Sequence, residues 1–159
     1  MKFCPKCGKP LGTRADGGRE RAACTDASCG FVFYDNPIPV VAAIVEQDEH
    51  VILVRNQGWP EKMFGLVTGF LERGESAEQG VLRELREELS LEGEIVRLVG
   101  VYPFELMNQI IVAYHVRAKG EPVISDELAG FKRVPIAKLR PWDMGTGQAV
   151  KDWLAARGT

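Results

Sequence analysis

Apolar positions along the chain recur at two spacings, one typical of strands and the other of helices. Short runs rich in branched apolar residues predict buried strands at 40–45, 51–54, 66–71, 95–101 and 110–116, with a turn at 47–49 after the first. The helical spacing occurs at Val81, Leu82, Leu85 and Leu89, and again from Trp142 to Leu154. Strands interleaved with two helices favour an α+β or layered α/β/α domain.

The segment before the first of these helices contains two glycines that suit a binding loop. Ser76 and Gln79 have the spacing of a capping box, so the helix is predicted to begin near Ala77. Gly69 lets the backbone approach a metal or a phosphate closely, and Gly74 permits a tight turn. The helix also presents the positive end of its dipole to this loop.

Three glutamates share one side of this helix. At about 100° per residue, Glu84, Glu87 and Glu88 fall on an arc beside the apolar stripe. Like charges four residues apart cost about 0.2–0.5 kcal/mol in an isolated helix, and a divalent cation would remove this repulsion. Carboxylate oxygens are the ligands that magnesium prefers. Composition alone favours a solvated charged helix face over a metal site. The choice between the two depends on the spacing of all the residues from the loop to the end of the helix.

That wider spacing resembles the Nudix box of the Nudix hydrolases. The box is a Gly, five residues, a Glu, seven residues, and then Arg-Glu-aliphatic-any-Glu-Glu-any-Gly-aliphatic. The matching residues are Gly69, Glu75, Arg83, Glu84, Leu85, Glu87, Glu88 and Leu91. Ser90 stands where the box has its last glycine, at the end of the helix. Because a left-handed serine costs about 1–2 kcal/mol, we expect a slightly remodelled turn there.

The resemblance implies a role for each of these residues. The implied ligands of magnesium or manganese are the Gly69 carbonyl, Glu84, Glu87 and Glu88, while Arg83 would orient the carboxylates and Glu75 would hold the loop against the helix. The cation would polarise phosphate oxygens and lower the pKa of a bound water. Glu84 and the more distant Glu127 are both candidates for the general base, although an exposed loop acid is the simpler interpretation of Glu127.

Several side chains outside the box are candidates for binding the substrate. Tyr102, Phe104 and Phe70 could stack on a base, as could Trp59 and Phe64, and Arg55 could contact phosphate. Core packing is the more common fate of such aromatic residues, and a solvent-facing loop explains Arg55 equally well.

The four cysteines form two closely spaced pairs near the start of the chain. Cys4 and Cys7 are separated by two residues, and Cys24 and Cys29 by four. Thiolates at these spacings can close a tetrahedral zinc site that leaves no open position for catalysis. Two disulfides or free thiols are the alternatives. No secretory signal precedes the cysteines, so we expect a reducing cytoplasm in which disulfides are rare.

The cysteine segment, residues 1–36, is too short to bury a core alone, and zinc would supply folding energy. It resembles a zinc ribbon with strands near 19–23 and 31–34. Its charges nearly cancel once four zinc-bound thiolates are counted, so nucleic-acid binding is not supported, although it stays open. Asn36-Pro37-Ile38-Pro39 favours extended backbone and predicts the linker to a second domain, residues 37–159.

Composition adds few further limits. Apolar residues make up 45% of the chain and charged residues 26%, as in ordinary soluble proteins, and the net charge of −2 indicates no particular partner. No apolar run is long enough to cross a bilayer, so no membrane partner is expected.

A zinc ribbon placed directly before a Nudix domain is similar to the arrangement in NADH pyrophosphatase-type Nudix proteins. This resemblance implies an α/β/α sandwich with a mixed sheet and a homodimer. It also implies cleavage of the diphosphate in a dinucleotide such as NADH, in ADP-ribose or in a nucleotide sugar. Of that group's Ser-Gln-Pro-Trp-Pro-Phe-Pro-any-Ser signature, only Tyr102-Pro103-Phe104 is echoed here.

Two alternatives to catalysis are a nucleotide-sensing Nudix module without activity and a ribbon that directs the hydrolase to RNA or protein. Sensing modules often lose box acids. This chain retains all of them, which favours catalysis.

Overall fold

The computed structural model describes residues 1–158 and divides the chain after Asn36 into two units, Met1–Asn36 and Pro37–Thr159. The first unit contains an antiparallel sheet with strand order β1 (Leu11–Asp16), β2 (Arg19–Cys24) and β3 (Val32–Phe33). Strands β2 and β3 lie close to their predicted positions. Strand β1 was not predicted, because its sequence LGTRAD has a single large apolar residue and therefore no alternation to detect.

The second unit is built on one mixed sheet. Its strands are β4 (Ile38–Gln47), β5 (His50–Asn56), β6 (Val67–Phe70), β7 (Glu92–Phe104), β8 (Gln109–Lys119) and β9 (Leu128–Pro135). The order across the sheet is β7-β8-β4-β5-β9, and β6 pairs with β4 alongside the part of β4 that β5 does not reach. Strands β4 and β8 run parallel, while the other pairs are antiparallel.

Helix α1 (Ala77–Leu89) and helix α2 (Gly147–Ala155) cover opposite faces of this sheet. Strand β4 shows the arrangement clearly, since Val41, Ala43 and Val45 pack on the α1 side. The residues that alternate with them, Val40, Ala42 and Ile44, pack on the α2 side. A strand buried on both faces has no need of polar alternation, which explains its continuous apolar run. The predicted α/β/α sandwich with a mixed sheet is confirmed.

Helix α1 begins as predicted. The backbone N–H of Gln79 donates to the Ser76 hydroxyl at 3.2 Å, and the backbone N–H of Ser76 donates to the Gln79 side chain at 2.8 Å. The prediction for the other end was wrong. Ser90 keeps the left-handed conformation that the box reserves for glycine, with φ 54° and ψ 30°, and its N–H donates to the carbonyl of Arg86 at 2.9 Å.

Two further parts of the second unit differ from what the sequence predicts. The closing helix begins at Gly147 rather than Trp142, because the chain turns at Gly145 (φ 58°) and folds back on itself. A Cβ on Gly147 would lie 1.7 Å from the carbonyl oxygen of Trp142. Strand β9 was not predicted, since its polar residues Lys132 and Arg133 interrupt the apolar pattern. Within residues 1–158, no helix is both long and apolar enough to cross a bilayer.

Candidate functional site

Strand β6 brings its backbone directly against the middle of helix α1. A Cβ on Gly69 would lie 1.8 Å from the carboxyl carbon of Glu84 and 1.9 Å from its Oε1, so glycine is the residue that fits. Gly80 has a similar function on the helix, because its Cβ would lie 2.9 Å from Leu71 and 3.0 Å from Glu75. Close approach at these two glycines places the loop, the strand and the acids of α1 together.

Arg83 connects the loop to the acids. Among the described residues it makes five hydrogen bonds, two to Glu75 (3.1 and 2.7 Å) and one each to Glu84 (2.7 Å), Glu87 (2.9 Å) and the carbonyl of Phe70 (3.0 Å). The hydrogen bonds from Arg83 hold the pKa of the Glu75 carboxyl below its usual value. Glu75 and its neighbours raise the pKa of Arg83 in return, so the guanidinium stays charged.

Glu88 is the buried acid of the cluster, with 4% of its surface exposed. Burial, followed by the charges of Glu84, Glu127 and Glu87, raises the pKa of Glu88 to about 8. Its Oε2 is buried and accepts no hydrogen bond from any residue in the described part of the chain. Burial also raises the pKa of Glu84, although Arg83 opposes this. A buried carboxylate oxygen without a partner is unfavourable unless a cation or a proton satisfies it.

The acidic cluster fits a hard divalent cation through its donor chemistry rather than through a closed cage. Across residues 1–158, no three carboxylates bring their oxygens within 4.8 Å of one another. The Nη1 atom of Arg83 binds both Glu84 and Glu87, whereas Glu88 makes no such contact. Magnesium commonly binds one or two carboxylates and completes its shell with water and substrate phosphate, so this open arrangement suits it.

Glu127, which sequence reasoning left as either a base or a loop acid, lies close to this cluster. It is exposed, and its charge contributes to the raised pKa of both Glu84 and Glu88. The backbone N–H of Ser125 in the same segment donates to the carbonyl of Glu88 at 3.0 Å. A fourth carboxylate therefore lies near the acidic side of α1.

The four cysteines of the first unit come together as a second candidate metal centre. Their Sγ atoms all lie within 4.8 Å of one another, with 3.7 Å from Cys4 to Cys29 and 3.5 Å from Cys7 to Cys24. Zinc–sulfur bonds of about 2.3 Å in a tetrahedron place the sulfurs about 3.8 Å apart, so the cluster fits zinc. Desolvation opposes ionisation, but backbone N–H groups of Lys6 and Cys7 bring the pKa of the Cys4 thiol down to about 7.

A cavity of about 480 Å³ opens on the α2 side of strand β6. Three of the predicted stacking residues line it, namely Trp59, Phe64 and Phe104. Sequence reasoning did not assign Met63, Met107, Trp142 or Met144 to a binding site, although all four line this cavity. Met63 and Met144 lie in loops without periodicity, and Trp142 was predicted only as the start of the closing helix. Thr68 lines the cavity and Gly69 follows it on β6, so the cavity and the acids lie on two sides of one short strand.

The other predicted substrate contacts lie outside the residues that line this cavity. Tyr102 is directed to α2, where its hydroxyl donates to Asp152 at 2.9 Å. Phe70 is 58% exposed at the end of β6. Arg55 donates to the carbonyl of Ala129 on β9 at 3.2 Å.

Comparison with known proteins assigns the family. The NUDIX domain family matches residues 36–153, which include strand β6, helix α1 and the loop between them. The chain belongs to the Nudix family. The family described as Nudix N-terminal, a zinc ribbon, matches residues 2–35. The chain is therefore a Nudix hydrolase with an N-terminal zinc ribbon, and the family resemblance noted from the sequence is confirmed.

The curated relatives that the chain resembles are longer proteins. The chain is 35% identical over 121 residues to a Mycobacterium bovis protein named NAD-capped RNA hydrolase NudC, covering 74% of this chain and 37% of the relative. A Vibrio vulnificus protein of the same name is 28% identical over 114 residues, with 72% and 42% covered. The chain thus spans less than half the length of these relatives.

One solved structure matches almost the whole chain. A NUDIX hydrolase from Nitrosomonas europaea gives a TM-score of 0.80 at 24% identity and covers 99% of this chain and 93% of that chain. At this identity the match shows a shared fold.

Proposed function

We propose that this Nudix hydrolase uses magnesium or manganese to cleave the diphosphate linkage of a nucleoside diphosphate joined to a second moiety. The observation that supports this most is the buried Glu88 oxygen that accepts no hydrogen bond within the described chain and lies near the charge of Glu84. A purely structural carboxylate at this depth would be expected to have a hydrogen-bond donor. A cation-binding carboxylate keeps that oxygen available.

The contacts around helix α1 support a separate role for each residue of the site. The proposed ligands of the cation are Glu84, Glu87, Glu88 and the carbonyl of Gly69. When bound, the cation would polarise phosphate oxygens and acidify a water molecule. Arg83 and Glu75 hold the ligands in place, because one guanidinium spans the loop and two of the acids. Glu127 is the proposed acceptor of the water proton, since it is exposed and lies near the half-buried Glu84 and the buried Glu88.

The apolar cavity is the proposed site for a planar ring of the substrate. Trp59, Phe64 and Phe104 can stack on a base, and stacking contributes about 1–3 kcal/mol per base. Because Thr68 and Gly69 are adjacent, a ring in the cavity would place its phosphates near β6 and the acids. Phe70 and Arg55 are proposed to contact the substrate outside the cavity. Tyr102 is proposed to contribute indirectly, by holding helix α2 through its hydrogen bond to Asp152.

The names of the curated relatives support an NAD cap on RNA as the first substrate to test, and the resemblance to NADH pyrophosphatase-type proteins adds the free dinucleotide. We propose that the protein is located in the cytoplasm, where its four cysteines would stay reduced and available to zinc. Homodimer formation, suggested by the family resemblance, is part of the same proposal.

A substrate panel tests this proposal. The purified chain is incubated with magnesium and NADH, NAD, ADP-ribose, a nucleotide sugar or NAD-capped RNA, and the released mononucleotide is measured. We expect cation-dependent release that falls by about 100-fold or more in Glu88→Gln. Glu92→Gln is the matched control, because Glu92 is an exposed glutamate paired with Arg86.

Two results would favour the alternatives, one from the panel and one from an RNA-binding assay on the same variants. Tight nucleotide binding without release of product in any reaction would indicate a sensing module. Salt-sensitive RNA binding that is lost with Cys24→Ser but retained in Glu88→Gln would indicate an adaptor role for the ribbon.

A further inference from the structure

The segment between β8 and β9 is anchored to the end of helix α1 that carries the acids. The backbone N–H of Val123 donates to the carbonyl of Leu89 at 2.9 Å, and that of Ser125 donates to the carbonyl of Glu88 at 3.0 Å. Carbonyl groups in the last turn of a helix have no partner inside the helix. These two bonds therefore satisfy the end of α1 and fix the segment beside Glu88.

Gln57, the first residue after β5, holds the same segment from its other side. The backbone N–H of Gln57 donates to the carbonyl of Glu127 at 2.9 Å, and its side-chain Nε2 donates to the carbonyl of Leu128 at 3.1 Å. The N–H of Leu128 donates to the carbonyl of Ser125 at 3.2 Å, which closes a turn around Glu127. The Glu127 backbone is thus held on both sides while its side chain stays exposed.

This tether opposes an electrostatic repulsion. The turn that carries Glu127 begins at Ser125, whose backbone N–H donates to the carbonyl of Glu88, so the exposed Glu127 lies beside the end of α1 that carries this acid. Carboxylates that share a partly desolvated site repel one another. On a loop without anchors this repulsion would favour movement of Glu127 away from helix α1. The bonds from Gln57 restrain that movement in addition to the bonds from Val123 and Ser125.

We propose that the side-chain amide of Gln57 is a positioning group that holds Glu127 against the acidic side of helix α1. The inference rests on the proposed function, because it gives Glu127 a use beside the divalent cation. Gln57 would act through Glu127 rather than by touching the substrate, since its amide donates to a backbone carbonyl of its own chain.

A double-mutant cycle with Mn²⁺ as the probe tests this inference. Gln57→Met keeps the side-chain length and removes the donor, Glu127→Gln removes the charge, and Glu61→Gln is an exposed control in the loop that follows Gln57. Mn²⁺ affinity is measured by electron paramagnetic resonance on the full chain. We expect losses of about three-fold for Gln57→Met and about ten-fold for Glu127→Gln. The double variant should bind no more weakly than Glu127→Gln alone.

Kinetics on the same proteins give a second readout. We expect kcat to follow the Mn²⁺ pattern while KM changes by less than about two-fold, because the substrate contacts are intact. Gln57→Leu, a second donor-free variant, should reproduce Gln57→Met, and hydrogen exchange across α1 checks that both fold.

Three results would contradict the inference. Losses that add in the double variant, or a Gln57→Met protein with wild-type affinity and kcat, would overturn it and leave the proposed function intact. A wild-type chain that binds no Mn²⁺ would overturn the proposed function and this inference together.

Discussion

Arg83 shows how much of the site depends on one side chain. A guanidinium has five N–H donors, and five hydrogen bonds to the described residues use them all. They connect the carbonyl of Phe70, the loop acid Glu75 and the helix acids Glu84 and Glu87. A lysine offers three donors without the planar fork, so it would leave part of this network unpaired.

Gly69→Ala should be among the most damaging single substitutions. Its Cβ would lie 1.8 Å from the Glu84 carboxyl carbon, so either the carboxylate or strand β6 must move. Because small displacements of reacting groups are costly, we expect kcat to fall by about 100-fold. Gly130→Ala on β9 is the control, since its Cβ would meet no atom within 4 Å. Equal activity in the two variants would contradict the close packing of Gly69 against Glu84.

Ser90→Gly should stabilise the protein. The left-handed conformation of Ser90 costs about 1–2 kcal/mol, and glycine loses about 0.5–1 kcal/mol more backbone entropy on folding. The middle of both ranges leaves a net gain of about 0.8 kcal/mol. Urea unfolding measures this free energy. A variant less stable than the wild type would show that the serine hydroxyl makes a compensating interaction.

Helix α1 makes stability depend on pH in an unusual direction. Glu88 has a pKa of about 8 in the folded chain and an ordinary value of 4.5. Between these values the folded state holds more protons than the unfolded state, so stability falls as pH rises, by up to about 1.4 kcal/mol per pH unit. Glu75 has the opposite effect, but its pKa is lowered, so its contribution is lost only in acid below this window.

Thermal unfolding between pH 5 and pH 8, without added magnesium or manganese, measures this effect. We expect Tm to fall over the range, and to fall less in Glu88→Gln, whose amide carries no charge. Magnesium added at pH 8 should raise the wild-type Tm and leave the variant almost unchanged. A wild-type Tm that rises steadily from pH 5 to pH 8 would show that Glu88 is already ionised and satisfied.

The cysteine unit should depend on its metal independently of the helix. We expect about one zinc ion per chain, measured by atomic absorption, and its loss in Cys24→Ser. Because a sheet of this size has little core, hydrogen exchange should then become fast in β1, β2 and β3 while α1 stays protected. Loss of protection throughout α1 would contradict two separately folded units.

Local signals made helix α1 and its acids predictable from the sequence. Ser76 and Gln79 are three residues apart, and the spacing of the acids follows from the helical period, so neither depends on the rest of the fold. The cavity was only partly predictable, because Trp59, Phe104 and Trp142 come from three distant segments that only the sheet brings together. The conformation of Ser90 was not predictable, because the geometry of the helix end outweighs the backbone preference of serine.

At the scale of the whole molecule, strand β6 lies between the two parts of the proposed site, the apolar cavity and the acids of helix α1. Thr68 of β6 faces the apolar cavity and Gly69 faces Glu84. A dinucleotide that places a ring in the cavity and its diphosphate beside the acids would therefore lie along the end of β6. A fold alone does not determine a substrate, so the substrate has to be assigned from the lining of the cavity.

The most direct test is anomalous scattering from a crystal grown with Mn²⁺ and a non-hydrolysable dinucleotide. We predict a manganese peak about 2.1 Å from a carboxylate oxygen of Glu88, with a phosphate oxygen of the ligand in the same shell. The account would be contradicted if no peak appeared beside helix α1 at saturating Mn²⁺ and Glu84, Glu87 and Glu88 all pointed into solvent.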